Sequence, residues 1–415
     1  MENIKNIFAA IPGGDIVSIS ILYFLGSSIF AFLISPLIIH ILYKLNIRRK
    51  SKGDIIGKKD ETQNKVGTPI MGGLIVVITV VVITFIFNWE RSMTYIPIGA
   101  FLLAACLGGI DDILNIFGNI RNKPRSIKVH INLIKHHANK TKRFYYLLTL
   151  PIAIIKRFLF LLGSKPNSGL HVYEKIFIQT IIGLVVGSWI YFVNKWDFIW
   201  LPYILNIDII RNTLDLIPGI KVNQFGDAYT SISVGWLIIP FVTLVIITIS
   251  NAVNFADGMD GLASGLLIQN FIGLGIIAFS LAVYNTELYE FRHLSYLAFT
   301  VAGALVAYQY FNIKPARIQL GDIGSLALGT LLAVMAIVMK REFALFFIAF
   351  VILFDGILSR IINTIYRIFK GRRLFYVIPF HYHLEFMGWS EEKVVMRMWT
   401  INMIFVAFGV WLAGI

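Results

Sequence analysis

The chain has a single cysteine, Cys106, and it sits inside an apolar run. That excludes a disulfide framework and a cysteine metal site, and it leaves redox compartment unmarked. Charge is equally scarce: only 14% of the 415 residues are Asp, Glu, Lys or Arg, against 57% hydrophobic. So little polar material cannot cover a soluble globule of this length. The first stretch, up to about Ser18, lacks a basic leader and carries Glu2 and Asp15, so the segment from Ser20 to Leu42 reads as a retained span rather than a cleaved signal.

What is abundant is apolar sequence in lengths suited to a bilayer, where about 20 residues cross about 30 Å of hydrocarbon. Ten segments approach that length: 20–43, 70–88, 94–112, 175–193, 230–251, 261–284, 293–311, 323–340, 343–366 and 396–415. The expected fold is therefore an all-α polytopic membrane bundle forming one domain over residues 1–415.

The formal charge of +14 is unevenly spread, and its distribution argues for membrane topology and anionic lipid contact rather than nucleic acid. Lys and Arg gather in 44–69, in 113–174 and in 367–395, whereas 89–93 and 284–292 hold one Arg each beside Glu. The basic segments are thus expected in the cytoplasm, with both termini outside. Two segments exceed simple connections. Residues 119–165 form a basic insertion whose part from Tyr145 to Leu162 reads as a surface or re-entrant helix, and 194–229 reads as an outward interfacial hairpin anchored by Trp196 and Trp200.

With that topology the acidic motifs fall on one inner rim: Asp111-Asp112, Asn254 to Asp260, and Asp322. Carboxylates at a membrane edge are costly, which makes them candidates for a site. Asp257 and Asp260 share a side of a helical turn with Asn254, while Gly258 and Gly261 let backbone come close to a ligand; capping of the next span is the alternative use of Asp260. Asp111 and Asp112 point apart on a helix, so one faces a ligand while a basic group holds the other. Their close spacing suits a proton acceptor or a metal site, and a headgroup-solvated pair is the alternative. Asp322, between glycines at a helix start, is either an N-cap or a magnesium ligand beside a phosphate. His381 and His383 suit phosphate-facing imidazoles better than zinc, for want of a third His or Cys nearby. Lys65, Lys175, Arg372 and Arg373 offer countercharge, unless they are merely topogenic.

The ordered motifs Gly67-Thr-Pro-Ile-Met-Gly-Gly73, Asp111-Asp112, Asn251-Ala-Val-Asn-Phe-Ala-Asp-Gly-Met-Asp-Gly-Leu262, Gly321-Asp-Ile-Gly-Ser-Leu-Ala-Leu-Gly329 and Pro379-Phe-His-Tyr-His-Leu-Glu385 resemble those of the phospho-N-acetylmuramoyl-pentapeptide transferases. The resemblance continues through Gly388-Trp-Ser-Glu-Glu and spans most of the chain. It implies transfer of phospho-MurNAc-pentapeptide from UDP-MurNAc-pentapeptide to undecaprenyl phosphate, giving lipid I and UMP, with Mg²⁺ as cofactor, ten spans in the bacterial inner membrane and a homodimer. It further implies that Asp322 is the magnesium ligand and that Asp111 and Asp112 lie near the lipid phosphate. Asn254, Asp257, Gly258 and Asp260 correspond to the nucleoside pocket, Asn312 to a polar residue of the same cavity, Lys175 to a motif lysine, and His381 to the first of three histidines.

The chain departs from the family pattern at Tyr382 in place of the middle histidine, at Gln319 in place of an aromatic platform, and at Asn64 and Asn115 in place of lysines. A sister enzyme moving phospho-GlcNAc or another sugar phosphate shares the acidic and glycine motifs and is the rival reading. A transporter is a further alternative, which would need charges at mid-membrane and inverted repeats.

Overall fold

The computed structural model describes residues 13–48, 67–89, 93–117, 127–136, 139, 141–143, 145–146, 149–150, 170, 172–202, 221–225, 229–284 and 286–414. Most of the expected insertion at 119–165, about half of the 194–229 segment, and Lys65 lie outside these residues.

The helices are α1 (Gly14–Lys44), α2 (Gly73–Phe87), α3 (Tyr95–Phe117), α4 (Ile127–His136), α5 (Val172–Phe192), α6 (Ile238–Ala256), α7 (Leu262–Tyr284), α8 (Arg292–Asn312) and α9 (Gly321–Val338). There follow α10 (Glu342–Ile348), α11 (Phe350–Lys370), α12 (Phe380–Phe386) and α13 (Glu391–Ala413). Among the described residues eight helices are long and apolar enough to cross a membrane, and α10 with α11 makes a ninth if that pair, bent by 71°, is one span. The protein is thus a largely helical, multi-pass membrane protein. The expected span at 70–88 appears as the 15-residue α2. At 1.5 Å per residue it covers roughly 23 Å, short of the usual hydrocarbon thickness.

α9 is the axis of the bundle. Its residues are almost all buried, and α2, α3 and α6 pack along it. Small residues permit the approach: a Cβ on Gly108 would collide with the backbone of Asp322, and one on Gly73 with the backbone of Gly324. Gly329 likewise lies against Ser250 of α6. Close backbone contact through small residues is how helices pack where lipid removes the hydrophobic drive between them. α1, by contrast, turns Leu22, Ile29, Leu33 and Leu37 outward and touches the bundle chiefly through α8, where Ser28 Oγ donates to the Gly303 carbonyl at 2.8 Å.

The segment expected as an interfacial hairpin at 194–229 and the start of the span expected at 230–251 form a small antiparallel sheet, β1 (Phe198–Leu201), β2 (Lys221–Phe225) and β3 (Tyr229–Ser233), in the order β1-β3-β2, so that the spanning helix α6 begins later than expected. The aromatic residues of the segment cover the turn between α9 and α10. Lys340 sits 4.6 Å from the Trp196 ring centre and 4.5 Å from that of Phe198, and the Arg341 guanidinium lies 4.4 Å from the centre of buried Trp200. These cation–π contacts seat the sheet on the bundle at the end of α9 opposite Asp322.

Candidate active site

The N-terminus of α9 gathers the carboxylates. Gly321 takes φ 73°, and the chain turns there so that Asp322 enters the first helical turn. Asp112 of α3 accepts the backbone N–H groups of Asp322 at 3.1 Å and Ile323 at 3.0 Å. It therefore caps the start of α9 from a different helix, using the donors that a helix end leaves free. Asp111, one residue earlier, points elsewhere. Its carboxylate accepts from Lys175 Nζ at 2.6 Å, from the Leu170 N–H at 2.5 Å and from Asn115 Nδ2 at 3.0 Å, and the residue is wholly buried.

Lys175 of α5 joins the two faces of the site. Its ammonium reaches Asp322 at 2.5 Å as well as Asp111, and both Lys175 and Asp322 keep 19% of their side-chain surface exposed. Asp322 also accepts from Asn254 Nδ2 at 2.7 Å, and Asn254 in turn reaches Ser325 Oγ at 2.9 Å. One turn earlier on α6, Asn251 donates to Gln179 Oε1 at 2.8 Å, and Gln179 to Ser250 Oγ at 3.0 Å. The α5–α6 seam beneath the lysine is thus a continuous polar row, worth having only because each member finds a partner. Two carboxylates share one ammonium, a local excess of negative charge.

The turn after α6 carries Asp257, Gly258 and Asp260. Asp260 is tied into its neighbours: its N–H donates to Glu391 at 2.8 Å, and its carboxylate accepts the Ala316 N–H at 3.1 Å. Asn312 is wholly engaged too. It accepts from the Gly261 N–H and Ser264 Oγ, both at 3.0 Å, and donates to the Ile318 carbonyl at 2.9 Å. Asp260 and Asn312 therefore staple the turn to the loop before α9. Lys314 on that loop pairs with Glu391 at 3.1 Å and Glu392 at 3.2 Å. Burial works against its charge, but the two glutamates outweigh it and hold the ammonium above the usual lysine range. Gln319 contributes its backbone, donating to the Pro69 carbonyl and accepting from the Gly72 N–H, and so locks the Gly-Thr-Pro run onto α9.

The two histidines part company. His381 is fully buried, and Asp355 holds it twice: Oδ1 accepts the His381 backbone N–H at 2.8 Å and Oδ2 meets Nδ1 at 2.7 Å. That places the proton on Nδ1 and leaves Nε2 as an acceptor without a partner among the described residues, against Gly258, where a Cβ would strike it. Tyr382 donates to the Gly258 carbonyl at 3.2 Å. His383 instead lies among the rings of Phe375, Tyr376 and Phe380. The pair does not converge as zinc ligands do.

Asp355 is absent from the residues picked out by sequence. Its signal was present, a lone carboxylate inside the 343–366 apolar run. It stands on a π-helical segment of α11, Phe354–Leu358, and such bulges re-aim single side chains. Arg373 lies on the exposed stretch after α11 and lines a separate cavity.

Spanning helices around a carboxylate–lysine cluster at one end define a polytopic membrane protein with a charged site at its rim. Residues 93–340 match glycosyl transferase family 4, and the chain belongs to that family of transferases. It is similar to the phospho-N-acetylmuramoyl-pentapeptide-transferase of Levilactobacillus brevis, 29% identical over 88% of this chain and 90% of that one. The proteins of the same name from Desulfotalea psychrophila (27% identical, 93% of this chain and 91% of that one) and Chloroflexus aggregans (31%, 84% and 78%) are comparably similar. The protein is accordingly a multi-pass transferase-family member of the bacterial cytoplasmic membrane.

Proposed function

We propose that the protein transfers phospho-MurNAc-pentapeptide from UDP-MurNAc-pentapeptide to undecaprenyl phosphate, forming lipid I and releasing UMP. The observation that carries this reading is one ammonium, Lys175 Nζ, shared by Asp111 at 2.6 Å and Asp322 at 2.5 Å on two further helices. A partly exposed lysine with carboxylates at a membrane rim suits phosphates, and similarity at 27–31% identity to transferases of that name supports this substrate class.

The donor set also suits Mg²⁺. Asp111 and Asp322 already converge on one cationic position, and both offer the hard oxygen ligands the ion takes. Mg²⁺ takes few protein carboxylates and relies on substrate phosphates and water for its remaining ligands. Asp322, which keeps part of its side chain exposed, would hold the ion, which when bound would draw charge from the departing oxygen.

The chain's own residues do the rest. In the transfer, an oxygen of the acceptor phosphate forms a bond to the sugar-linked phosphorus while the bond from that phosphorus to the UMP oxygen breaks, so that UMP leaves with the electron pair. A phosphate monoester has its second pKa near 6, so the acceptor arrives largely deprotonated and needs no strong base. Asp111, being wholly buried, orients Lys175 rather than meeting the acceptor; the lysine offers its remaining donor to phosphate oxygen. Gly258 packs bare backbone against His381 Nε2, so the fully buried imidazole props this wall of the site from behind rather than meeting substrate. The same reading carries ten crossings, termini outside and a homodimer.

The direct test offers the purified protein undecaprenyl phosphate, Mg²⁺ and an equal mixture of UDP-MurNAc-pentapeptide and UDP-GlcNAc, with the lipid product identified by mass. Muramoyl product is expected. Product from UDP-GlcNAc alone would replace the proposed donor by that of a sister enzyme, and product from neither would overturn the reading.

A further inference from the structure

Beyond the carboxylate cluster, and independent of the reaction proposed for it, the last turns of α11 and the stretch after them build a second charged feature. From Ser359 the helix is sharply two-faced. Ile361, Ile365, Ile368 and Phe369 recur at helical spacing and point outward, 48%, 49%, 74% and 80% exposed. Arg360, Asn363, Thr364, Arg367 and Lys370 occupy the other side. Arg360 is used internally, 4.6 Å from the ring centre of Phe255.

Asn363 is buried, and its Oδ1 accepts the N–H groups of Leu374 at 2.8 Å and Phe375 at 3.0 Å. That side chain ties the following stretch back along the helix. Between the two runs a cavity of about 400 Å³, lined by Asn363, Thr364, Arg367, Arg373 and Tyr376. Neither Arg367 nor Arg373 has a carboxylate within ion-pairing distance among the described residues. Two unpaired guanidinium groups thus face one cavity, on a helix whose opposite side is apolar and exposed.

We propose that this cavity binds the headgroup phosphate of an anionic phospholipid, at the level where the Ile361–Ile365–Ile368 face of the same helix is set among the acyl chains of the membrane. Guanidinium forks match phosphate oxygens in pairs and are more weakly hydrated than ammonium, which suits a site at the edge of hydrocarbon. A helix with a basic face and an apolar face is the form that lies in a membrane interface, and basic groups there draw anionic lipid. The exposed apolar stripe distinguishes lipid from a soluble acidic partner, which would leave it uncovered.

The test is native mass spectrometry of the full chain in a neutral detergent, titrated with phosphatidylglycerol or with phosphatidylcholine of the same chains. The wild type is expected to prefer phosphatidylglycerol by about tenfold or more, the scale set by two basic groups near an anionic surface. Arg367→Gln with Arg373→Gln should remove most of that preference, while Lys58→Gln with Lys59→Gln, a loss of equal charge in another basic segment, should keep it. Equal loss in both pairs would assign the preference to diffuse charge and overturn the site, as would its survival in the arginine pair. Should the arginine pair not fold, Arg373→Gln alone, on the exposed stretch, must cut the preference about threefold, and no cut overturns the site. Glycerol 3-phosphate is expected not to displace the lipid; displacement would assign the cavity to a free phosphate instead.

Discussion

Asp111 and Asp112 are neighbours in sequence and hold different jobs, and this separates what substitutions at the two should do. Asp112 accepts two N–H groups at the start of α9, so Asp112→Ala removes a cap and leaves buried donors open. A stability loss of about 1–2 kcal/mol is expected, read as a lower unfolding midpoint in detergent. Asp322→Asn keeps the shape and the cap but loses the charge facing the site. Turnover should fall by about 10²-fold or more with the unfolding midpoint little changed, and raising Mg²⁺ should not restore it. In the wild type, chelation of divalent cations should abolish product and added Mg²⁺ should recover it. Near-normal Asp322→Asn turnover would remove the residue from the metal role. Lys175→Met has both effects, because it strands the wholly buried Asp111 without its cation. Breaking such a pair costs about 3–5 kcal/mol, so this variant should lose activity and melt earlier than Asp322→Asn. Sequence made the divergence of the two aspartates legible from helical geometry alone. It assigned the basic partner without deciding which aspartate would take it, since the donors that claim Asp112 lie 210 and 211 residues away along the chain.

At the level of elements, the site depends on how closely α3 approaches α9. Gly108 meets the Asp322 backbone, which cannot swing aside as a side chain can, so Gly108→Ala must push the helices apart. A loss of about 1–3 kcal/mol is expected from overpacking. Because Asp112 caps α9 across this same crossing, turnover should fall further than stability does, whereas Gly99→Ala, with open space around its Cβ, should change neither. The comparison is read by melting and lipid-product assays side by side. α11 works in a similar way through its π-helical segment, which turns Asp355 onto His381. Asp355→Asn keeps the shape but no longer enforces the Nδ1 proton. Product formation should drop by about 10²-fold, the scale of a displaced group at a reaction site, with the imidazole nitrogen resonances of labelled His381 shifting to match. Unchanged resonances would mean that the aspartate merely fills space. The histidine pair stood out by its alternating spacing and Gly258 and Gly261 by their place beside the aspartates, but a π-helical bulge has no spacing rule. Asp355 could be read only as an isolated charge within an apolar run.

For the whole molecule, hydropathy rendered the spans legible because bilayer thickness sets their length, and the eight described helices long enough to cross each overlap a segment anticipated on that ground, several running past its bounds. The exceptions among the described residues are the pair α10 and α11, bent by 71°, and α2, whose 15 residues reach roughly 23 Å. Whether α2 crosses bears on the sidedness of all that follows. Its middle is buried against α9 rather than bathed in lipid, with Ile75, Val76 and Val80 fully covered, and a short span inside a bundle is accommodated by local thinning of the bilayer. The charges agree: 44–69 is rich in Lys and Arg, while 89–93 has a single Arg beside Glu90. α2 is therefore expected to cross, with the basic segment in the cytoplasm. The lone Cys106 makes this measurable, since Cys106→Ala gives a cysteine-free chain. On that background Ser51→Cys should be protected from a membrane-impermeant maleimide in intact cells, while Ser92→Cys and Asn285→Cys should react. Protection at both 51 and 92 would mean that α2 does not cross. A reversed pattern would put the carboxylate rim outside, away from a nucleotide-linked donor made in the cytoplasm, and so would count against the proposed reaction itself.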